Sequence, residues 1–169
     1  MNFERLFDSL RIRQGPPDRA RARVALAGAT AVGILAPLLP FGGIVGYPIL
    51  LLSTLAHEMG HGLTAMLVGL EFDSFRLYAD GSGVAMIGGT AGRLSRAATA
   101  AGGLVGPAVA GALLFWFSSR PHSAQIALMV FGALMLAACV LVIHNAFGLA
   151  FVGAMGGGLI YLGIRLGAG

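Results

Sequence analysis

Charge is scarce in this chain, and lysine is absent from it. Only 11% of the 169 residues are charged, against 57% that are hydrophobic, and no acidic residue follows Asp80. A soluble domain carries about a quarter charged residues, so a soluble globular protein is excluded. The single cysteine, Cys139, excludes an intrachain disulfide. The apolar excess is too large for one core, which predicts a compact domain that uses the lipid bilayer as part of its solvent.

The basic residues are all arginine, and most of them precede the first long apolar run. Cytoplasmic flanks of membrane spans collect basic residues, and anionic headgroups attract them. This cluster therefore predicts a cytoplasmic N-terminus, and we expect an integral protein of a bacterial-type plasma (inner) membrane. The arginines are not interleaved with aromatic residues, which argues against a nucleic-acid partner. The arginines before the first apolar run are Arg5, Arg11, Arg13, Arg19, Arg21 and Arg23.

The apolar runs predict an all-α polytopic membrane protein with about five transmembrane helices. Residues 1–23 are predicted to form a cytoplasmic arm, either a short amphipathic helix or a mobile tail, and residues 24–169 the membrane-embedded domain. Gly42, Gly43 and Pro48 predict a turn between the first two spans. Pro107 predicts a kink or a break in the third span. The predicted spans are 24–39, 49–70, 97–117, 124–143 and 146–164.

A different pattern follows the second predicted span. Between residues 72 and 87, alternating apolar residues flank an Asp80-Gly81 turn, which predicts a β-hairpin at or just inside the cytoplasmic face. Elsewhere glycines are spaced by four, as at 102 and 106 and at 153 and 157. Small residues at that spacing let helices approach closely, so we expect tight packing within the helical domain.

The candidate site lies inside the second predicted span, where residues 57–61 read His-Glu-Met-Gly-His. On a helix, His57 and His61 share one face, so their imidazoles can hold one Zn²⁺ ion. Glu58 is then placed to take a proton from a water activated by the ion and to return it to the leaving amine of a peptide. Apolar residues flank the motif, and a carboxylate within a membrane segment is costly enough to indicate function.

The same three side chains also suit roles without catalysis. They could form an interhelical hydrogen-bond cluster, or an inactive remnant of a metal site. A haem or di-iron centre would need more ligands than the four histidines and few carboxylates supply. A catalytic zinc normally has three protein ligands, and only weak candidates for the third exist, namely Asp80, His144 and Asn145.

Three motifs in this order resemble the M50 family of site-2-protease-like intramembrane metallopeptidases, and in particular its M50B-like branch. They are HEMGHGLTA at 57–65, DGSGV at 80–84 and GLVGPA at 103–108, and the resemblance runs from about residue 47 to residue 148. The resemblance implies a zinc cofactor, His57 and His61 as metal ligands, Glu58 as the catalytic base, and a site opened toward the cytoplasm. It also implies a third ligand, an Asp from a later membrane segment, which this sequence does not contain. A longer chain, another ligand and an inactive protein are the three alternatives.

The function that these observations predict is that of an intramembrane zinc-dependent endopeptidase. Its partners would be the lipid bilayer and a membrane-embedded or membrane-adjacent protein or peptide substrate. The alternative is a catalytically inactive membrane scaffold or partner-binding protein that retains a remnant metal site. In such enzymes the hairpin either offers a strand edge to an extended substrate or serves as a structural cover for the site.

Overall fold

The computed structural model describes residues 42–118 and 121–167, with a few helical positions between 23 and 35. The predicted arm at 1–23 and the predicted first span at 24–39 therefore lie largely outside the described residues, and the boundary between them stays a prediction. Residues 47–169 form one compact unit, within which the contacts below lie. The elements are α1 (Gly42–Leu67), β1 (Glu71–Leu77), β2 (Gly83–Gly88), α2 (Arg93–Ser118), α3 (Pro121–Leu141) and α4 (Ala146–Gly167).

Helix α1 begins earlier and ends earlier than the sequence predicted. The turn predicted at Gly42, Gly43 and Pro48 is wrong, because these residues are helical. Proline has a backbone φ that suits a helix and removes a single hydrogen bond, which a long apolar helix tolerates. At the other end Gly69, with φ of 80°, reverses the chain. The N–H groups of residues 69 and 70 then bond back to the carbonyls of residues 66 and 65, so α1 ends at Leu67 rather than at Leu70.

Three helices are long and apolar enough to cross a bilayer, namely 93–118, 122–141 and 146–166. They indicate a membrane protein, and among the described residues they are candidates for three of the five predicted spans, while the number of five stays a prediction. Helix α1 is long enough as well, but it carries two histidines and a glutamate and is not among these three candidates. Helix α2 continues through Pro107, so of the two predicted outcomes the break is wrong, and the kink stays a prediction.

The predicted hairpin is confirmed, with antiparallel strands that pair Phe75 with Ala85 and Leu77 with Gly83. Its turn is closed by the Ser82 carbonyl, which accepts from the Tyr78 N–H at 2.9 Å. Gly81 lies in the turn with φ of 90°, a conformation that favours glycine. The Asp-Gly pair therefore marks the turn, as the sequence predicted.

The connection between α3 and α4 lies along the free edge of β1. The Phe75 N–H donates to the Val142 carbonyl at 2.7 Å, and the His144 N–H donates to the Phe75 carbonyl at 3.1 Å. The Asn145 side chain continues this pairing, since its Oδ1 accepts from the Leu77 N–H at 3.1 Å and its Nδ2 donates to the Leu77 carbonyl at 2.6 Å. Both edges of β1 are thus paired, one with β2 and the other with this connection.

The core lies where the hairpin meets the helices. Phe75 and Leu77 of β1 are fully buried in one cluster with Leu51 of α1 and Val152 of α4. This packing holds the hairpin along α1, where the Tyr47 hydroxyl donates to the Ala79 carbonyl at 2.6 Å. The side of α1 that faces the hairpin also carries Glu58, so the core fixes the strands beside the candidate site.

The glycine spacing has different outcomes in different helices. A Cβ at Gly102 or Gly106 would fall against backbone atoms of α1, so these two glycines permit close contact between α1 and α2. At Gly153 and Gly157 of α4 an added Cβ would meet open space, so the prediction of close packing is wrong there. Helices α3 and α4 instead approach where Gly132 faces Gly156, since a Cβ on either glycine would lie against the carbonyl oxygen of the other.

Candidate metal centre

Helix α1 brings His57, Glu58 and His61 together. The two imidazole rings lie edge to face with their centroids 4.6 Å apart. Their Nε2 atoms are 3.0 Å apart. Each of the three side chains offers one possible ligand atom, and these atoms all lie within 4.8 Å of one another. All three side chains are half-buried.

The separation of the imidazole nitrogens fits a tetrahedral metal ion. Zinc binds histidine nitrogen at about 2.0–2.1 Å, which places two such ligands about 3.3 Å apart in a tetrahedral site. The Nε2 atoms of His57 and His61 need to separate by only a few tenths of an ångström to reach that distance. These residues therefore fit the metal that the motif predicts.

The other ring nitrogen of His61 determines which tautomer the imidazole adopts. Its Nδ1 lies 2.8 Å from the Thr99 carbonyl oxygen of α2. A carbonyl only accepts, so Nδ1 carries the proton and Nε2 keeps a lone pair directed toward His57. Ligating histidines are commonly oriented by a hydrogen bond of this kind. Helix α2 therefore orients a candidate ligand through its backbone.

This contact depends on the missing side chain of Gly103. The glycine is buried, and a Cβ there would overlap the His61 imidazole. Gly60, directly before His61 on α1, lies against the Gly102 carbonyl and the Gly106 Cα, which permits the short distance between the two helices. The close approach of α1 and α2 gives Thr99 its contact with His61.

Glu58 is held from the opposite side by the hairpin. Its Oε2 accepts from the Ala85 N–H of β2 at 2.8 Å. Glu58 also lies beside Gly83, where a Cβ would be 2.9 Å from Glu58 Cγ and 2.7 Å from Thr54 Cγ2. One carboxylate oxygen is therefore bound to the strand, and Oε1 remains for another partner.

Comparison with protein families identifies the family to which the chain belongs. The model of the Peptidase M50B-like family matches residues 25–168. The chain belongs to the M50B-like peptidase family. No curated protein and no solved structure matches the chain. The family resemblance predicted from the three sequence motifs is thus confirmed, over a longer part of the chain than those motifs cover.

The structure places the candidate third ligands of this M50B-like protein away from the histidine pair. Among the described residues, the group of possible metal-binding side chains contains only the three of α1. His144 is exposed, and its Nδ1 lies 2.9 Å from the Val142 carbonyl. The Asn145 amide is used at both ends by Leu77. Asp80 is exposed in the hairpin turn, where Ser82 donates to it from both its N–H and its hydroxyl.

Sequence reasoning did not find Thr99, Ala85 or Gly103 as members of the site. The first two act through backbone groups, which every residue type carries, so no side-chain signal identifies them. Gly103 was inside a motif of the M50B-like resemblance, but its role depends on the packing of α2 against His61. Only the long-range contacts of the fold reveal these three.

Proposed function

We propose that this M50B-like protein is an intramembrane zinc-dependent endopeptidase. The observation that carries the proposal is the joint placement of His57, Glu58 and His61 on α1, with the two Nε2 atoms 3.0 Å apart. His57 and His61 would hold the zinc ion. When bound, the ion would polarise a water molecule and the carbonyl of the scissile peptide. The apolar helices of the chain favour a substrate that is in or beside the membrane.

Glu58 has the position of a general base in this reaction. Its Oε2 is bound to β2, so Oε1 is the atom that would accept the proton of the attacking water. The same carboxylic acid would then donate that proton to the departing amine as the peptide C–N bond breaks. The His61 imidazole would stay in the tautomer that the Thr99 carbonyl selects.

The outer edge of β2 is the proposed docking surface for the substrate. Among the described residues no backbone group pairs with this edge, whereas both edges of β1 are occupied. A membrane-embedded substrate must unwind before hydrolysis, and pairing with a strand would satisfy its freed N–H and C=O groups. The N–H of Ala85 is already taken by Glu58, so the neighbouring outward-facing groups of β2 would supply the hydrogen bonds.

The test is the Glu58→Gln variant in detergent or in proteoliposomes, with a membrane-spanning peptide as substrate. Zinc content, measured by mass spectrometry, should stay near one per chain, while cleavage falls by at least about 100-fold because the base is lost. Glu71→Gln is the matched control, since Glu71 is an exposed carboxylate on β1 outside the group.

Two outcomes contradict the proposal. The first is wild-type protein without stoichiometric zinc after purification, and the second is cleavage by Glu58→Gln at the wild-type rate. An inactive scaffold with no working metal site predicts that His57→Ala changes neither metal content nor proteolysis. The proposed endopeptidase instead predicts that this variant loses both.

A further inference from the structure

The N–H of Ala85 points to the outer edge of the hairpin. Phe75 of β1 directs its N–H and its C=O toward residues 142–144, away from β2. Ala85 is the residue opposite Phe75 in the antiparallel register. The pair therefore exchanges no hydrogen bonds, and Ala85 directs its own N–H and C=O to the outer edge of β2.

Glu58 is the partner of this outward N–H. Its Oε2 lies 2.8 Å from the Ala85 nitrogen, across 27 positions of sequence. A backbone donor without a partner is costly in an apolar environment, and so is a carboxylate. The contact satisfies both groups at once, and the absence of a side chain at Gly83 makes room for it.

We propose that the Ala85 N–H is a positioning group for Glu58. It fixes Oε2 and thereby turns Oε1 toward the face that His57 and His61 share. The hairpin is then part of the reaction centre in addition to being a docking edge, because the orientation of the base depends on β2. The catalytic consequence rests on the proposed endopeptidase function, whereas the contact itself does not.

The first test removes the donor with Ala85→Pro. Proline is tolerated on an edge strand where the lost N–H points away from the ladder. We expect unchanged zinc content, a kcat lower by about 10–100-fold, as is typical when a supporting group is lost, and little change in KM. Ile87→Pro is the comparison, since it removes an N–H that faces the same edge but has no side-chain acceptor among the described residues. Because this N–H belongs to the proposed docking edge, the variant should raise KM while kcat stays at the wild-type value.

Combining Ala85→Pro with Glu58→Gln separates positioning from general damage. If the N–H acts only through Glu58, the double variant should be no slower than Glu58→Gln alone. A further loss of activity in the double variant, or a wild-type kcat in Ala85→Pro, would overturn the proposal.

The second test needs neither metal nor substrate. Amide exchange of ¹⁵N-labelled, metal-free protein is followed by NMR in detergent micelles for the wild type and for Glu58→Ala. The Ala85 amide should exchange faster in the variant, while the Ile87 amide keeps its rate. Equal Ala85 rates in the two proteins would refute the contact whether or not the chain is a peptidase. Absence of cleavage with the expected exchange result would refute only the proposed function.

Discussion

At the scale of single residues, His61 is constrained at both ring nitrogens. Nδ1 is bound to the Thr99 carbonyl of α2, and Nε2 faces His57 on its own helix. The imidazole can keep this place only because Gly103 presents no side chain to it. The position of a candidate ligand on α1 is therefore decided by a backbone atom and a missing methyl group on α2.

Gly103→Ala tests this dependence. The new Cβ would overlap the His61 imidazole, so the ring must leave its position or α2 must move away. We expect zinc affinity to fall by about 10–100-fold, the usual effect of losing support behind a metal ligand. Competition with a chelator of known affinity measures it. Gly111→Ala on the same helix is the control, because a Cβ there meets open space, and its affinity should equal that of the wild type.

Asp80 has a role in the turn rather than at the metal. Ser82 donates two hydrogen bonds to the Asp80 carboxyl, and together they hold its pKa below the ordinary value of 3.8. The bond from the Ser82 hydroxyl has the larger effect, and the bond from the Ser82 N–H has the smaller one. A lowered pKa in the folded state means that the ionised form stabilises the turn. That stabilisation is complete above about pH 4 and is lost as the pH falls through the lowered value.

The measurement is amide exchange at Ser82 between about pH 2 and pH 5, compared with Asp80→Asn so that the intrinsic pH dependence of exchange cancels. The ratio of the two exchange rates should be constant above about pH 4 and should change below it, in the range where the carboxyl titrates. A constant ratio over the whole range would show that the Asp80 charge does not hold the turn.

At the scale of elements, the connection between α3 and α4 acts as a third strand beside the hairpin. An isolated parallel bridge joins Phe75 to Ile143, and the Asn145 side chain pairs with Leu77 in the way that a backbone would. This explains why Asn145, considered as a third ligand from the sequence, is unsuited to that role. The oxygen and the nitrogen of its side-chain amide both bond to β1.

Asn145→Ala should therefore weaken the attachment of the hairpin without removing metal. The N–H and the C=O of Leu77 both lose their hydrogen-bond partner in a half-buried place, so the free energy of unfolding should fall by about 1–3 kcal/mol. Chemical unfolding in mixed micelles measures this change, and zinc content should stay at the wild-type level. Loss of zinc with unchanged stability would restore Asn145 as a ligand.

His144→Ala is the companion variant, because the His144 side chain is exposed and its contact among the described residues is with the nearby Val142 carbonyl. We expect wild-type stability and wild-type zinc content. A loss of zinc in this variant would contradict the assignment of His144 to the loop and would make it the missing ligand.

At the scale of the whole molecule, the apolar helices determine on which side of the membrane each connection lies. Helix α3 is long and apolar enough to cross the bilayer, so Ser118 and His144, which lie beyond its two ends, should be on opposite sides of the membrane. The arginine-rich N-terminal segment predicts that the His144 side is cytoplasmic. The third element of the sheet would then form at the cytoplasmic end of the bundle.

Cysteine labelling tests this orientation. Cys139→Ala removes the single native thiol, after which Ser118→Cys and His144→Cys are compared with a membrane-impermeant maleimide. In intact cells the cysteine at 118 should react and the one at 144 should react only after permeabilisation. Labelling of both positions in intact cells would exclude a spanning α3, and the reverse pattern would invert the proposed topology.

The sequence by itself determined the features that depend on local periodicity. A spacing of four places two histidines on one helical face, apolar runs indicate the helices long enough to cross a bilayer, and the Asp80-Gly81 pair marks the hairpin turn, because each follows from nearby residues. The same local signals failed for the turn predicted at Pro48 and for the break considered at Pro107, where the helices continue through proline. The cost of one lost hydrogen bond was smaller there than the stabilisation of a long apolar helix.

Only the tertiary structure decided which groups meet the site. The Thr99 carbonyl, the Ala85 N–H and the space at Gly103 lie 38, 27 and more than 40 positions from their partners in α1. Backbone groups are chemically the same in nearly every residue, so no sequence pattern distinguishes the one that bonds Glu58 from its neighbours. Their roles come from how α2 and the hairpin pack on α1, and packing is a property of the folded chain.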